Sequence, residues 1–434
     1  MVASIRSKAI IDIRADTVGR SAIFMQASET VIDGGMGVRY LDEWAHSGFA
    51  MMTRMDMTAL PVQVSVVDDL AGFDALRDDW LALEQQVPDS SVFMSWDSQR
   101  LWWKYYGKGR ALRILVARDA NRVIGILPLY CERHHKAAGI LGIRKLRQIG
   151  VGGDTAPDDL DALLLPEFAP LAAVRLVAFV AASVGGWDML ELTDLPATSA
   201  LVPAWTGQLP GAGLRVQCSA ASPIVFGDLP SSFEEYCQGL SSNRRAVMRR
   251  KRRKFESQPG ARFVTIDTPE GVDQAFDELV RLHRLRWSGR TARPAFSSRE
   301  FRDYHREWMH TLLSQGRLRL LALEVHGRFI AMLYCMQYKG RWSFFQGGFD
   351  PEFSPLSPGE VLMGLAIETA ISDGCTVFDM LKGDHEYKRH FFQQDRRNLE
   401  IRVFRKGAVS LAYGLRDAWL RHRSKAPVRD HTPT

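Results

Sequence analysis

Cysteine is scarce in this chain of 434 residues, and its few copies are scattered. No two of them form a C-x-x-C pair and their number is odd, which argues against a disulfide framework and a structural zinc site. The histidines show no H-x-x-x-H pattern with a neighbouring acid, so we expect no bound metal. This use of cysteine favours a reducing, cytoplasmic location. The cysteines are Cys131, Cys218, Cys237, Cys335 and Cys375.

Long apolar runs are also missing. No window approaches the ~20 apolar residues that a membrane-spanning helix needs, and the longest apolar stretch, residues 171–184, is interrupted by Arg175. Neither G-x-S-x-G nor G-x-x-x-x-G-K occurs, which argues against a serine hydrolase and a P-loop enzyme. Residues 1–57 lack sustained periodicity and the pattern of a secretory signal, so we predict a flexible N-terminal extension there.

Residues 342–392 form the most organised stretch of the chain. Its aromatic-rich start predicts a strand, and Gly347 and Gly348 near the end of that strand indicate a bulge or a close approach of another backbone. Apolar residues at helical spacing then predict a helix that ends at Gly374. A further strand and a short helix follow. The predicted order is therefore strand, loop, helix, strand, helix.

The start of the predicted helix carries chemical information. Ser357 is a favourable N-cap, Pro358 suits the first helical position, and Glu360 would complete an S-x-x-E capping box. Such a start directs backbone N–H groups and the positive end of the helix dipole beyond the preceding strand. A pyrophosphate group is one natural occupant of that space, although an isolated S-P-G is more typical of an ordinary capped helix.

Two segments in the first half of the chain resemble two segments in the second half. Residues 113–130 and 319–337 share two apolar runs around a turn, and residues 174–192 and 366–381 share a helix followed by a strand. Because the echoes occur in the same order, they indicate duplication of one α/β unit into two lobes. A segment at 196–230, rich in Pro, Gly and Ser, is predicted to connect them. The predicted divisions are the extension at 1–57, a first lobe with the crossing segment at 58–229, a second lobe at 230–425 and a frayed tail at 426–434.

The second lobe resembles the GNAT-fold acyltransferases of the CelD/BcsL type, which are related to the FemAB peptidyltransferases. The resemblance covers roughly residues 230–405, and its signature is S-P-G before a helix, then G-x-x-x-F-D-x-L-x-G-x-x-x-Y-K. One departure is Phe391-Phe392, where the family has a tryptophan soon after the Tyr-Lys pair. The matching residues are Ser357-Pro358-Gly359, Gly374, Phe378-Asp379, Leu381, Gly383 and Tyr387-Lys388, with the basic run 249–253, His283, Arg286, Trp287, Gly347, Phe349 and Asp350 upstream.

The resemblance implies an α/β fold of the GNAT-like α+β type, with two tandem GNAT-like lobes whose mixed, mostly antiparallel sheets are flanked by helices. It also implies transfer of an acyl group from acetyl-CoA or another acyl-CoA, usually to an amine, in envelope or exopolysaccharide assembly. The first lobe lacks the S-P-G and Tyr-Lys motifs, so we expect it to be degenerate and to support the second. The residues expected at the acyl-CoA are Gln346, Gly347, Gly348, Phe349, Ser357, Pro358 and Gly359, and those expected at the acceptor are Arg286, Trp287 and Asp350.

Three residues are candidates for the chemistry. Tyr387 is suited to donate a proton to the leaving thiolate, although a core position at a helix start would explain it equally well. Asp379 lies in an apolar strand and therefore needs a polar or charged partner. It is either a base or orienting group, or it forms an ion pair with Lys388 or an arginine, and we prefer the ion pair. Lys388 is alternatively suited to hold a phosphate. Alternative bases are Asp350, Glu360 and the pair His385-Glu386.

Two basic segments bear on the partners. Residues 244–254 hold eight basic residues in eleven, on every face of a helix, so we expect an anion nearby. The candidate anions are the CoA phosphates, a sugar-pyrophosphate-lipid acceptor, anionic membrane lipid and RNA, with a solvated helix face as the alternative. Nucleic acid is the least favoured, because no nucleic-acid motif accompanies the run. Residues 405–425 predict a basic amphipathic helix that packs on its own lobe or lies on an anionic membrane.

We therefore predict an acyl-CoA-dependent N-acyltransferase, with an acetyl donor favoured. Its acceptor would be an amino sugar or an envelope-polysaccharide precursor, either a small molecule or lipid-linked, which would bring the enzyme to the inner face of the cell membrane. Two alternatives stay open. A FemAB-like aminoacyl transferase using aminoacyl-tRNA fits the basic run but not the S-P-G motif. A non-catalytic module would bind a nucleotide or a partner in polysaccharide biosynthesis.

Overall fold

The structure, a computed structural model, describes residues 62–134, 142–155, 157–207, 213–288 and 295–413. The predicted extension at 1–57, the predicted tail at 426–434 and most of the predicted helix at 405–425 lie outside these residues. The strands, numbered in chain order, are β1 (Val62–Val67), β2 (Ala111–Asp119), β3 (Arg122–His134), β4 (Ile143–Gln148), β5 (Leu163–Leu164), β6 (Met189–Leu195), β7 (Arg215–Asp228), β8 (Arg262–Ile266), β9 (Leu318–Val325), β10 (Arg328–Tyr338), β11 (Arg341–Phe349), β12 (Val377–Lys382) and β13 (Gln394–Phe404). The α-helices are α1 (Leu70–Ala75), α2 (Arg77–Gln86), α3 (Trp96–Tyr106), α4 (Ala169–Ala182), α5 (Leu201–Thr206), α6 (Phe233–Gly239), α7 (Ser242–Glu256), α8 (Pro269–Trp287), α9 (Arg299–Ser314) and α10 (Pro358–Ser372).

The first lobe places its hairpin and its helix–strand pair where the sequence pattern predicts them. β2 and β3 are antiparallel and turn at Ala120-Asn121, within the first echoing segment. β4 and β6 are parallel, and α4 connects them on its way across the sheet. Leu176 and Val177 of α4 are fully buried, which is expected of a helix whose apolar residues cover a sheet face.

The second lobe repeats this order. Two tight turns, His326-Gly327 and Lys339-Gly340, connect β9 to β10 and β10 to β11, and all four residues have φ between 49° and 76°. Positive φ at both central residues is the type I′ geometry, whose twist matches that of paired strands. β11 and β12 are parallel and are connected by α10. The echoing segments therefore fall on equivalent hairpins and equivalent helix–strand pairs.

The two lobes share one continuous sheet, which the sequence analysis did not predict. Its order is β1-β2-β3-β4-β6-β13-β7-β12-β11-β10-β9-β8, with β5 paired to β3. β13, late in the chain, pairs with β6 of the first lobe, while β7 pairs with β12 of the second. Residues 196–230, predicted to connect the lobes, also contain the 14-residue strand β7. Its Ser, Ala and Pro residues resemble loop composition, but pairing with β13 along most of its length satisfies its backbone.

The sheet of the second lobe separates two apolar cores. On one face, Val272, Phe276 and Leu279 of α8 are buried, and on the other face Leu362 and Ala366 of α10 are buried. Burial of each large apolar side chain contributes about 1.5–3 kcal/mol, so both helices are held firmly against the strands. The predicted α/β fold, a mostly antiparallel sheet flanked by helices, is confirmed. In the part of the chain that the structure describes, no helix has the length and apolar character to cross a membrane.

Candidate active site

The candidate site begins where β11 and β12 separate. The two strands pair in parallel over Arg341–Ser343 and Val377–Asp379 and then diverge. The register between β10 and β11 shifts at Phe345, an extra residue in β11. Because a β-bulge increases the local twist, β11 turns away from β12 and leaves a cleft of about 360 Å³. Residues selected from the sequence that line this cleft are Arg286, Trp287, Gln346, Gly347, Tyr387 and Lys388.

Gly348 allows α8 to cross β11 at very short range. A Cβ atom at this position would lie 2.3 Å from the backbone nitrogen of His283 and 2.4 Å from the carbonyl carbon of Leu282. The interpretation of Gly348 as a point of close backbone approach is confirmed, whereas the bulge lies three residues earlier. This crossing brings the last turn of α8 to the cleft, where Arg286 and Trp287 form part of its wall.

Arg286 and Tyr387 face each other in this wall. The guanidinium carbon of Arg286 lies 5.4 Å from the ring centroid of Tyr387 and 5.6 Å from that of Phe349. Its Nη1 donates a hydrogen bond to the carbonyl oxygen of Gly347 at 3.4 Å. Burial raises the pKa of Tyr387, and the neighbouring Arg286 opposes that rise in part. The phenol is therefore protonated at neutral pH and lies beside a cation that would stabilise the phenolate.

Lys388 binds the backbone carbonyl groups that β12 leaves unpaired where it diverges from β11. The Lys388 side chain is buried, and its Nζ donates to the carbonyl oxygens of Met380 and Leu381 at 2.8 Å and of Lys382 at 3.0 Å. Burial lowers the pKa of Lys388 to about 8. The alternative that Lys388 holds a phosphate is wrong for this arrangement, because all three ammonium protons are used on the backbone.

Asp379 is held in a buried ionic cluster behind the cleft. Its carboxylate lies 2.7 Å from Arg396 and 3.2 Å from Arg341, and it also accepts a hydrogen bond from the backbone N–H of Leu381 at 2.8 Å. The preferred interpretation of Asp379 as one half of an ion pair agrees with this geometry, and its partners are arginines and not Lys388. Arg396 also lies 2.6 Å from Asp159 of the first lobe, so the cluster connects the two lobes.

The start of α10 differs from the predicted capping box. Ser357 occupies the N-cap position with φ of 52°, and its hydroxyl makes no capping hydrogen bond. Glu360 does not reach back to the backbone; it pairs with Lys251 and lies 3.7 Å from Arg244. The prediction of a capping box is therefore wrong, because basic side chains of α7 bind the Glu360 carboxylate in place of the backbone. The first turn, which includes Pro358 and Gly359, is left without a side-chain cap.

Asp350 lies outside the cleft. Its side chain is buried, approaches Arg328 and lies 3.6 Å from Arg281. It also accepts a hydrogen bond from the backbone N–H of Glu352 at 3.1 Å, which caps the short 3₁₀ helix before α10. The structure thus does not bring Asp350 together with Arg286 and the other residues selected for the acceptor.

Acidic side chains within the protein balance part of the positive charge of helix α7. Four of its eight basic residues pair with acids: Arg244 and Lys251 with Glu360, Arg249 with Glu234, and Arg252 with Glu256 and Glu368. Within the described residues, no acid pairs with the remaining four, Arg245, Arg250, Arg253 and Lys254. The helix forms because half of its charge is balanced and because Phe255 is buried.

Sequence reasoning missed two features of the site. The consecutive aromatics Phe344 and Phe345 break the alternation of a strand, and this signal would have located the bulge. The second feature is the ionic cluster that joins the lobes, in which Asn398 donates to Asp159 at 2.8 Å beside Arg396. No short-range signal was available for it, since Asp159 lies in a loop far in sequence from Arg341, Asp379 and Arg396.

Known proteins resemble this chain in part of its sequence and in its fold. A family model described as an acetyltransferase (GNAT) domain matches residues 242–389. The crystal structure of FemX is 12% identical, with a TM-score of 0.54 over 78% of this chain and 98% of FemX. The C-terminal domain (DUF2156) of a putative lysylphosphatidylglycerol synthetase from Agrobacterium fabrum is 14% identical, with a TM-score of 0.47 over 80% of this chain and 96% of that domain. A tandem GNAT protein from the clavulanic acid biosynthesis pathway is 14% identical, with a TM-score of 0.41 over 78% and 98% of the two chains. No curated protein gives a significant match.

The match to the GNAT domain covers both walls of the cleft, from α7 to the 3₁₀ turn that carries Tyr387. The likeness to FemX is a likeness of fold, because the sequences are so different. These findings confirm the GNAT part of the resemblance, and the CelD/BcsL type stays a prediction. Residues 242–389 match a GNAT acetyltransferase domain, and this match supports an acyltransferase of the GNAT type.

Proposed function

We propose that the chain transfers an acyl group, most simply acetyl, from acyl-CoA to the amine of an amino sugar or another precursor of an envelope polysaccharide or exopolysaccharide. The observation that carries this proposal is the cleft between β11 and β12, open at the point where the phenol of Tyr387 and the guanidinium of Arg286 meet. A lipid-linked sugar acceptor would bring the protein to the inner face of an anionic membrane.

The residues present fit an acyl-CoA. The first turn of α10 has no side-chain cap, and although Glu360 and Val361 donate their N–H groups to the carbonyl oxygen of Ser357, the N–H of Gly359 is available to a pyrophosphate. The carboxylate of Glu360 in that turn would repel phosphate, but Lys251 and Arg244 balance its charge. Gln346 and Gly347 present the edge of β11 to the cleft, where a pantetheine arm would lie. Acyl-CoA would supply an acyl group activated as a thioester.

The protein contributes a proton and a fixed geometry. Tyr387 keeps its proton at neutral pH because burial raises its pKa, so it is able to donate to a departing thiolate. Arg286 stabilises the resulting phenolate from a position fixed by the crossing of α8 over Gly348. Lys388 holds the β12 wall in place through three backbone carbonyls. These roles require both walls of the cleft to stay rigid.

Calorimetric titration with acetyl-CoA and longer acyl-CoAs tests the proposal, using Ser357→Asp and the neutral control Ser357→Asn. Both replacements tolerate the positive φ of Ser357, because Asp and Asn are enriched in that region. A carboxylate at this position would repel the pyrophosphate, so we expect Ser357→Asp to weaken binding by about tenfold or more, roughly 1.4 kcal/mol. Ser357→Asn should bind as the wild-type protein does. Absence of acyl-CoA binding by the wild-type protein would refute the proposal.

A second candidate function is aminoacyl transfer from aminoacyl-tRNA. It is favoured by one observation, the four basic residues of α7 that have no acidic partner in the described part of the chain, of which Arg250 and Arg253 are exposed. Titration with tRNA at several salt concentrations distinguishes the candidates, since phosphate contacts make affinity fall steeply with salt. Specific tRNA binding that Arg250→Ser with Arg253→Ser removes, together with no acyl-CoA binding, would favour this second function.

A further inference from the structure

The acids that the sequence analysis considered as bases are, apart from Glu386, engaged in ion pairs. Each of these acids has two cationic neighbours. A carboxylate whose oxygens are engaged by two cations is not available to an incoming ammonium group. The pairs are Asp379 with Arg341 and Arg396, Asp350 with Arg281 and Arg328, and Glu360 with Arg244 and Lys251.

Glu386 differs from these acids in position and surroundings. It begins the 3₁₀ turn Glu386–His390 and lines the cleft next to Tyr387. The residue is exposed, and its carboxylate makes no hydrogen bond or ion pair with any residue that the structure describes. Trp287 and Phe345 line the same cleft and present aromatic surface to whatever enters it. The cleft therefore contains a protonated phenol and an unengaged carboxylate on adjacent residues.

We propose that Glu386 binds the ammonium group of the acceptor and removes its proton. This inference rests on the proposed N-acyltransfer and names the acceptor class as a primary aliphatic amine, which is protonated at neutral pH. A carboxylate attracts such a cation, and the rings of Trp287 and Tyr387, which already face the guanidinium of Arg286, line the same cleft. Glu386 is thus a catalytic residue for the amine, as Tyr387 is for the thiolate.

The proton balance of the step is complete with these two residues and water. Glu386 takes one proton from the ammonium, and the neutral nitrogen then forms a bond to the acyl carbon. The carbon–sulfur bond breaks, and Tyr387 gives its proton to the sulfur. The nitrogen loses its second proton, Tyr387 regains one, and one proton in total passes to the solvent. No oxidant, reductant or metal is required.

Steady-state kinetics test the inference, with acetyl-CoA as donor and either glucosamine or n-butylamine as acceptor, followed by release of free thiol. Glu386→Gln should lower kcat/KM for the amine by about 10²-fold or more, the usual size of a general-base contribution. Glu386→Asp should restore part of the rate. The acidic limb of the pH profile of kcat/KM should disappear in Glu386→Gln, which a merely structural residue would not cause. The affinity for acetyl-CoA should stay unchanged.

Asp384→Asn is the matched control. Asp384 is exposed, lies two residues before Glu386 and faces Arg389 at 3.5 Å, so its removal changes the local charge without removing the cleft carboxylate. It should keep the wild-type rate. Transfer by Glu386→Gln at the wild-type rate and with the wild-type pH profile would overturn the inference, and so would an acidic limb that only His385→Gln removes. Acetyl-CoA binding without acetylation of either amine would overturn the role of Glu386 alone, whereas no acetyl-CoA binding would overturn the proposed function itself.

Discussion

Replacing Gly348 by alanine tests whether the crossing of α8 over β11 builds the cleft. The new Cβ would lie 2.3 Å from the nitrogen of His283 and 2.4 Å from the carbonyl carbon of Leu282, both backbone atoms that cannot rotate away. Carbon atoms in comfortable contact are about 3.5 Å apart, so α8 must shift by about 1 Å. Overpacking of this kind costs about 1–3 kcal/mol, and we expect the upper end because backbone opposes backbone.

The shift should also reduce activity, because Arg286 and Trp287 at the end of α8 would leave the cleft wall. Urea denaturation measures the loss of stability, and thiol release measures turnover under conditions where the variant is folded. Gly364→Ala is the matched control: its Cβ would lie 3.6 Å from the sulfur of Met248, and within α10 it should stabilise the protein by up to about 1 kcal/mol. Wild-type stability and turnover for Gly348→Ala would refute the argument.

Three further predictions concern the residues behind and beside the cleft. Asp379→Asn should destabilise the protein by about 1–3 kcal/mol in urea denaturation, because Arg396 and Arg341 lose one of their two buried counter-charges and keep Asp159. The difference in free energy of unfolding between the wild-type protein and Lys388→Met should change in favour of the wild type between about pH 8 and 10.5, because in this range the unfolded chain keeps the Lys388 proton that the folded protein has lost. Tyr387→Phe should lower kcat by about 10²-fold or more while the affinity for acyl-CoA in calorimetry stays unchanged, and full activity would exclude Tyr387 as the acid.

The local elements of the second lobe could be predicted because their signals are short in range. The aromatic strand β11, the proline at the start of α10 and Gly374 with φ of 72° after its end each depend on neighbours within a few residues. The role of Tyr387 and the GNAT-like fold class were implied by the resemblance to the GNAT-fold acyltransferases, whereas the similarity between the two halves of the chain indicated two lobes.

The other features of the site depend on contacts between residues far apart in sequence, which residue spacing does not predict. The capping box failed because Lys251, 109 residues away from Glu360, offers a stronger partner than a backbone N–H group. The partners of Asp379 were not predictable for the same reason, since Arg341 and Arg396 reach it from β11 and β13. Lys388 was suited to bind an anion in the sequence analysis because nothing in the sequence shows that β12 diverges from β11 and exposes three carbonyl oxygens, to which the ammonium donates.

The first lobe explains why one cleft stays open. There β4 and β6 also pair in parallel over only a few residues, but Gln148 fills the place where they would separate, accepting from the backbone N–H of Thr193 at 3.1 Å and donating to the carbonyl oxygen of Leu160 at 3.0 Å. The loop that carries Leu160 continues across to the second lobe, where Asp158 accepts from the backbone N–H of Lys382 at 2.7 Å. One loop therefore closes the first lobe's equivalent of the cleft and fixes a wall of the second. This arrangement supports the predicted division of labour, in which the first lobe holds the geometry and the second carries the chemistry.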